Sequence, residues 1–154
     1  GVLLARRVRS ELLSINGKEF KACGQPAITC DRDDFRQRRT LPAPNTTDIS
    51  FDLDGRRVVL VDDVLFTGRT IRAGLDAMLA FGRPTSVSLL VLIDRRFSRE
   101  LPIQPDYVGK WVDSIGDQRV TVAWREVEGQ DRVLLHTSDA EIGTSVSKGS
   151  IADQ

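Results

Sequence analysis

Apolar residues follow two different periods along the chain, and the change from one to the other marks its organisation. Leu4, Val8 and Leu12 recur at i, i+4 and i+8 with arginines between them, the stripe of a surface helix over residues 1 to about 15. Asn16 and Gly17 supply its stop. Val58–Val61 is instead a continuous, largely β-branched run, which predicts a strand covered on both faces in a parallel sheet. Helical spacing then returns, with Ile71, Leu75, Met78 and Leu79 at i, i+4, i+7 and i+8, and Gly82 and Pro84 stand beyond the end as stop signals. Ser86–Ile93 predicts a second buried strand. Strand, helix and strand within about 36 residues make one right-handed crossover unit, so the predicted class is α/β.

The remaining segments are less regular. Val120, Val122 and Trp124 alternate with Thr121, Ala123 and Arg125, and Val133–Leu135 follows a turn-like Glu128–Asp131, which predicts an antiparallel hairpin at the sheet edge. Pro26–Cys30 reads as a short strand. From Asp31 to Asp48 charge and proline are dense and nothing is periodic, the pattern of a loop or arm. Beyond Ser138 the residues are small and polar, and a disordered tail over 137–154 is expected.

Composition narrows the class. At 154 residues with 40% hydrophobic content, the chain suits one domain with one core, here residues 1–136. The 22 basic and 22 acidic residues balance, so no global field advertises a nucleic-acid partner, although a local basic face remains open. Only Cys23, Cys30 and His136 offer soft metal ligands, too few for a zinc site, and the thiols read as reduced. No run approaches the ~20 apolar residues of a membrane span. Val2–Ala5 meets Arg6 and Arg7 too soon for a secretory core, so a soluble, cytoplasmic protein is expected.

The chemistry concentrates in "VVLVDDVLFTGRT", residues 58–70. Ligands of open α/β sheets bind beyond the carboxyl ends of strands, where Asp62 and Asp63 stand. Thr67, Gly68, Arg69 and Thr70 open the next helix. Backbone N–H groups, the helix dipole and two hydroxyls converge there on an anion site, and the glycine allows close approach. Two hydroxyl-accepting carboxylates beside an anion site match ribose 5-phosphate. A purely structural reading has the aspartates capping the helix or pairing with Arg69 and Arg72. Neither a Walker loop nor a Gly-x-Gly-x-x-Gly fingerprint is present.

This stretch resembles the phosphoribosyl-pyrophosphate (PRPP) motif of type I phosphoribosyltransferases. Together with "DDVLFTGRTIRAGLDAMLAFGRP" (62–84), "RELPIQPDYVGK" (99–110) and "RDDF" (32–35), most of residues 1–113 is similar to the bifunctional pyrimidine-operon attenuator and uracil phosphoribosyltransferase family, the PyrR type. The resemblance implies the type I fold, a mainly parallel sheet flanked by helices with a flexible arm and a C-terminal hairpin. It implies transfer of ribose 5-phosphate from PRPP to uracil, giving UMP and pyrophosphate, with Mg²⁺ carried by the pyrophosphate. Asp62 and Asp63 are then the catalytic carboxylates, and Val64, Leu65, Phe66, Thr67, Gly68, Arg69 and Thr70 hold the 5-phosphate. Tyr107 stacks on the base and Val108 reads its edge, within a hood over 97–113. Arg32, Asp33 and Asp34 belong to a lid formed by the arm, and Asp113 faces the metal.

Leader mRNA is the further partner the resemblance implies, through a basic face containing Arg99 and Lys110, and a homodimer or homotetramer is the common assembly of the class. Two departures bear on this. Gln104 stands where a basic residue is usual, and Arg95–Ser98 replaces a shorter glycine–histidine connection. The family's pyrophosphate loop lies just before the first helix, and Gly1 looks like its last residue. Little activity is therefore expected of this stretch by itself. The competing functions are an RNA-binding regulator with little catalysis, a transferase for hypoxanthine or guanine, and a protein that keeps the fold without catalysis.

Overall fold

The computed structural model describes residues 1–17, 24, 49, 51–114 and 118–137. The anticipated strand at Pro26–Cys30, the arm with Arg32, Asp33 and Asp34, and the tail from Ser138 lie outside the described residues.

Helix α1 spans Val2–Asn16, and its Leu4 is buried. Gly17 ends it with φ +62°, its N–H returning to the Leu13 carbonyl, a left-handed position that suits glycine because no Cβ is present to clash. The crossover unit forms as its periodicity demands, as β1 (Arg57–Leu65), α2 (Arg69–Leu79) and β2 (Ser86–Arg95). Strand β3 (Tyr107–Val112) follows, and the three strands pair in the order β1-β2-β3, all parallel.

Burial departs from expectation on β1. Arg57 and Val59 are exposed, so the start of this strand is covered on one face only among the described residues. Its other end enters the core, where Leu65, Ile71, Leu89 and Val91 cluster with Leu60, Leu75, Ile103 and Val108 around them. Each of the four buried aliphatic side chains stabilises the fold by about 1.5–3 kcal/mol, and the partly buried ones by less. Of the predicted α2 stripe, Ile71 and Met78 are buried, whereas Leu79 at the last turn is exposed.

The anticipated hairpin is present as β4 (Arg119–Ala123) and β5 (Arg132–His136), antiparallel and joined through the short helix α3 (Arg125–Glu128). It forms its own two-stranded sheet rather than the edge of the parallel one. Arg7 on α1 ties it down. The guanidinium donates to Glu126 Oε1 at 2.9 Å and to Asp131 Oδ1 at 2.7 Å, and it lies 4.9 Å above the Trp124 ring.

These bonds hold the Asp131 carboxyl down to about 2 and Glu126 below its ordinary value. Because the folded values are depressed, the contribution of the latch is complete above the usual carboxylate range near pH 4. It is lost as pH falls from about 4 towards 2. In a Trp111→Phe background, Trp124 emission is expected to change over that window. The same acid transition in Arg7→Ala would show that the latch plays no part in it.

Candidate functional site

The site is assembled where β1 runs into α2. Asp62 and Asp63 are half-buried within β1, and the Asp63 N–H donates to Asp62 Oδ1 at 3.0 Å, which ties the pair together. The backbone of Gly1, at the start of α1, lies against this part of β1, its nitrogen 3.9 Å from Asp62 Oδ1. Val64 and Leu65 finish the strand, with Leu65 anchored in the core.

Phe66, Thr67 and Gly68 make the turn. Gly68 has φ +94°, a left-handed position that side-chain-bearing residues resist. A Cβ there would stand 3.2 Å from Ile103 Cδ1 and 3.3 Å from Leu101 Cβ. Thr67 is buried, and its hydroxyl accepts the Arg69 N–H at 3.3 Å, two residues on, which tightens the turn into α2. The N-terminus of α2, with its partial positive charge, thus follows the carboxylates after the strand end and the turn, and Thr70 sits in that first turn. Arg69 points outward to Glu100, donating to Oε2 from Nε at 2.8 Å and Nη2 at 2.6 Å. The backbone, more than this side chain, is left to receive an anion.

Tyr107 and Val108 begin β3. Register places Asp62 beside Val91 and Val91 beside Val108, two ladder steps apart. At ~4.8 Å per step the carboxylate strand and the tyrosine strand are separated by roughly 10 Å at that level. Tyr107 is 57% exposed, so it is no core tyrosine. It lines an open pocket of about 420 Å³ with Asp94, Gln104, Pro105, Asp106, Val108 and Trp111. Asp106 fixes the strand entry reciprocally, its N–H donating to the Leu89 carbonyl at 2.9 Å and its carboxylate accepting the Leu89 N–H at 2.7 Å. Trp111, exposed and four residues after Tyr107 on the same strand, shares its face.

Other expected residues are engaged elsewhere. Asp113 forms a bidentate pair with Arg96, at 2.7 and 2.8 Å, so the carboxylate assigned to metal is occupied by an arginine. Arg99 and Lys110 do not make one exposed basic face. Lys110 is exposed on β3, but the Arg99 guanidinium turns inward, pairing with Asp94 and donating to the Phe66 carbonyl at 2.6 Å.

Among the described residues no group of three or more His, Cys, Asp or Glu is placed to hold a metal. Two adjacent half-buried aspartates do suit Mg²⁺, which is commonly held by one or two carboxylates together with substrate phosphate oxygens. No helix among the described residues is long and apolar enough to cross a membrane.

Sequence reasoning missed the segment that holds the turn. The Thr67 carbonyl accepts N–H bonds from Glu100 at 3.0 Å and Leu101 at 3.1 Å, and the Arg95 guanidinium stacks 3.8 Å from the Phe66 ring. Residues 94–101 carry no periodicity, and the family resemblance assigned 97–101 to a hood and Arg99 to RNA, with nothing that pointed them at the turn.

Residues 1–122 match the phosphoribosyl transferase domain family. The chain is 47% identical over 137 residues to the bifunctional protein PyrR of Desulfosudis oleivorans, covering 89% of this chain and 75% of that one. It is 47% identical to the PyrR protein of Chloroflexus aurantiacus, over 88% of this chain and 73% of the relative, and 44% identical to that of Listeria monocytogenes, over 90% and 77%. Among solved structures, a hypoxanthine phosphoribosyltransferase from Staphylococcus aureus is 25% identical with a TM-score of 0.39, covering 42% of this chain and 35% of that one. The chain belongs to the phosphoribosyltransferases, in their bifunctional PyrR family.

Proposed function

We propose that the protein transfers ribose 5-phosphate from PRPP to uracil, forming UMP and releasing pyrophosphate, and that residues 62–70 hold the ribose phosphate. One observation carries this reading: paired carboxylates, a glycine turn and a helix N-terminus follow one another on β1 and α2, at the sheet level of an exposed tyrosine.

Asp62 and Asp63 accept the ribose hydroxyls. As the bond from C1 to pyrophosphate lengthens, the ribose gains oxocarbenium-like positive charge, and fixed carboxylates stabilise charge that develops in the transition state. Amides from Val64 to Thr70 and the α2 dipole hold the 5-phosphate so that C1 is presented to the base. Tyr107 stacks on uracil, and the Val108 backbone reads its edge. Mg²⁺, when bound with PRPP, neutralises the leaving pyrophosphate. Arg32, Asp33 and Asp34 belong to the proposed lid, which excludes water from the reacting centre.

The test is uracil-dependent pyrophosphate release from PRPP and Mg²⁺ by the full-length protein. UMP formation is expected, and turnover with hypoxanthine or guanine in its place would overturn the substrate. Tyr107→Ala is expected to raise KM for uracil about fivefold, the lower end of base–aromatic stacking, with Tyr107→Phe close to wild type. An unchanged KM in Tyr107→Ala would remove the tyrosine from the base site.

A second activity is supported by the relatives, which are bifunctional by name. In this reading the protein, as a homo-oligomer, also binds leader mRNA, and the exposed Lys110 contributes charge. Affinity for the transcript then falls steeply with added salt. Salt-independent or undetectable binding would sink this second role.

A further inference from the structure

The end of β2 and the residues just after it reach back to the turn after β1 and grip one residue of it by both halves. Arg99 donates from Nη1 to the Phe66 carbonyl at 2.6 Å, while the buried Arg95 stacks on the Phe66 ring at 3.8 Å. Neither arginine is loose. Arg99 is paired through Nη2 with Asp94, and Arg95 donates from Nε to Ser114 Oγ at 2.6 Å and from Nη2 to the Gln118 carbonyl at 2.7 Å. The next residue, Thr67, receives two backbone N–H bonds from the same segment. Asp94, almost fully buried, also lines the pocket that contains Tyr107.

We infer that Arg99, oriented by Asp94 and assisted by Arg95, is a positioning residue for the phosphate turn and links that turn to the base pocket. Its guanidinium is planar and presents donors in a fixed fork, so it satisfies the carboxylate and the carbonyl at once. Lysine, a point charge on a flexible stem, does not reproduce both. With the Phe66 carbonyl held, the amides after it are aimed before PRPP arrives, and less ordering accompanies binding. The inward grip gives Arg99 a role in transfer that is distinct from any contact with RNA. The inference rests on the proposed PRPP site.

The test is calorimetric PRPP–Mg²⁺ affinity and steady-state transfer by the full-length protein with Arg99→Ala, Arg99→Lys and, as an exposed control beside it, Arg96→Ala. Arg99→Ala is expected to weaken PRPP binding about fivefold, with added guanidinium ion restoring part of the loss. Arg99→Lys should fall between it and wild type, and Arg96→Ala should match wild type. Rescue by guanidinium separates positioning from a general loss of stability, because a misfolded turn would not respond. Should Arg99→Ala fold poorly, Arg99→Lys carries the measurement. Wild-type PRPP affinity in both Arg99 variants overturns the inference while leaving the proposed reaction standing. Absence of PRPP binding in the wild type defeats both.

Discussion

Replacing Asp62 and Asp63 together with asparagine is expected to lower kcat for phosphoribosyl transfer by about 10²–10³-fold, with the fold unchanged. The substitution keeps the shape and one carbonyl oxygen on each side chain, which can still accept the Asp63 N–H, while it removes the negative charge and turns the other oxygen from an acceptor into an amide donor. Charge matters most when the ribose is most cationic, so PRPP affinity should suffer less than kcat. Removing one preorganised electrostatic group from an active site typically costs about 2.7–4 kcal/mol of transition-state stabilisation. Both side chains are partly exposed, so a large stability change is not expected. The checks are a kcat and KM determination beside a thermal melt. A wild-type kcat in the double variant would sink the carboxylate mechanism.

Gly68→Ala should weaken both the fold and the phosphate site. The position has φ +94°, and an L-residue in left-handed backbone costs about 1–2 kcal/mol. The new methyl would also press within 3.3 Å of Leu101 Cβ, and Leu101 is tied by its own N–H to the Thr67 carbonyl. The Ile103 tip at 3.2 Å can move; the Leu101 Cβ cannot move without its backbone. A loss of about 1–3 kcal/mol is expected. For a domain of this size each kcal/mol lowers Tm by about 2–4 °C. The displaced amides should raise the Kd for PRPP on the order of tenfold or more, since small misplacements of positioning groups have large effects. Denaturation and calorimetry on the same protein decide it. If Tm and PRPP affinity both match wild type, the turn relaxes freely and Gly68 is not required for phosphate.

Local patterns in the sequence were sufficient wherever structure is local. The i, i+4 stripe of Leu4, Val8 and Leu12 and its Gly17 stop predicted α1, and the switch from Val58–Val61 to Ile71, Leu75 and Met78 predicted β1 and α2, because side-chain periodicity follows directly from strand and helix geometry. Asp62 and Asp63 were legible as a candidate site for the same reason. The sequence placed them just beyond a strand ending at Val61; β1 in fact runs on to Leu65, so they lie near its end, before the glycine turn and helix. That order needs no distant partner.

What needed the tertiary structure involves partners far apart in the chain. The hairpin's separation from the parallel sheet and its latch to Arg7, 119 residues before Glu126, depend on packing that no periodicity encodes. The same is true of Asp113, whose partner Arg96 is 17 residues away, and of Arg99, which faces Phe66 across 33. An arginine in a charged, aperiodic segment reads as solvated or as a nucleic-acid contact, since composition records its charge but not its direction. Only the pairing of β1 with β2 brings residues 94–101 over the turn at 66–68. The sequence by itself determined α1, the β1–α2–β2 crossover and the two hairpin strands, but not β3 or α3, together with the carboxylate–glycine–helix order of the site at residues 62–70. The parallel register of the sheet decided which charges turn inward to hold it, because a short-range pattern specifies a residue's own backbone whereas an ion pair is specified by where two backbones meet.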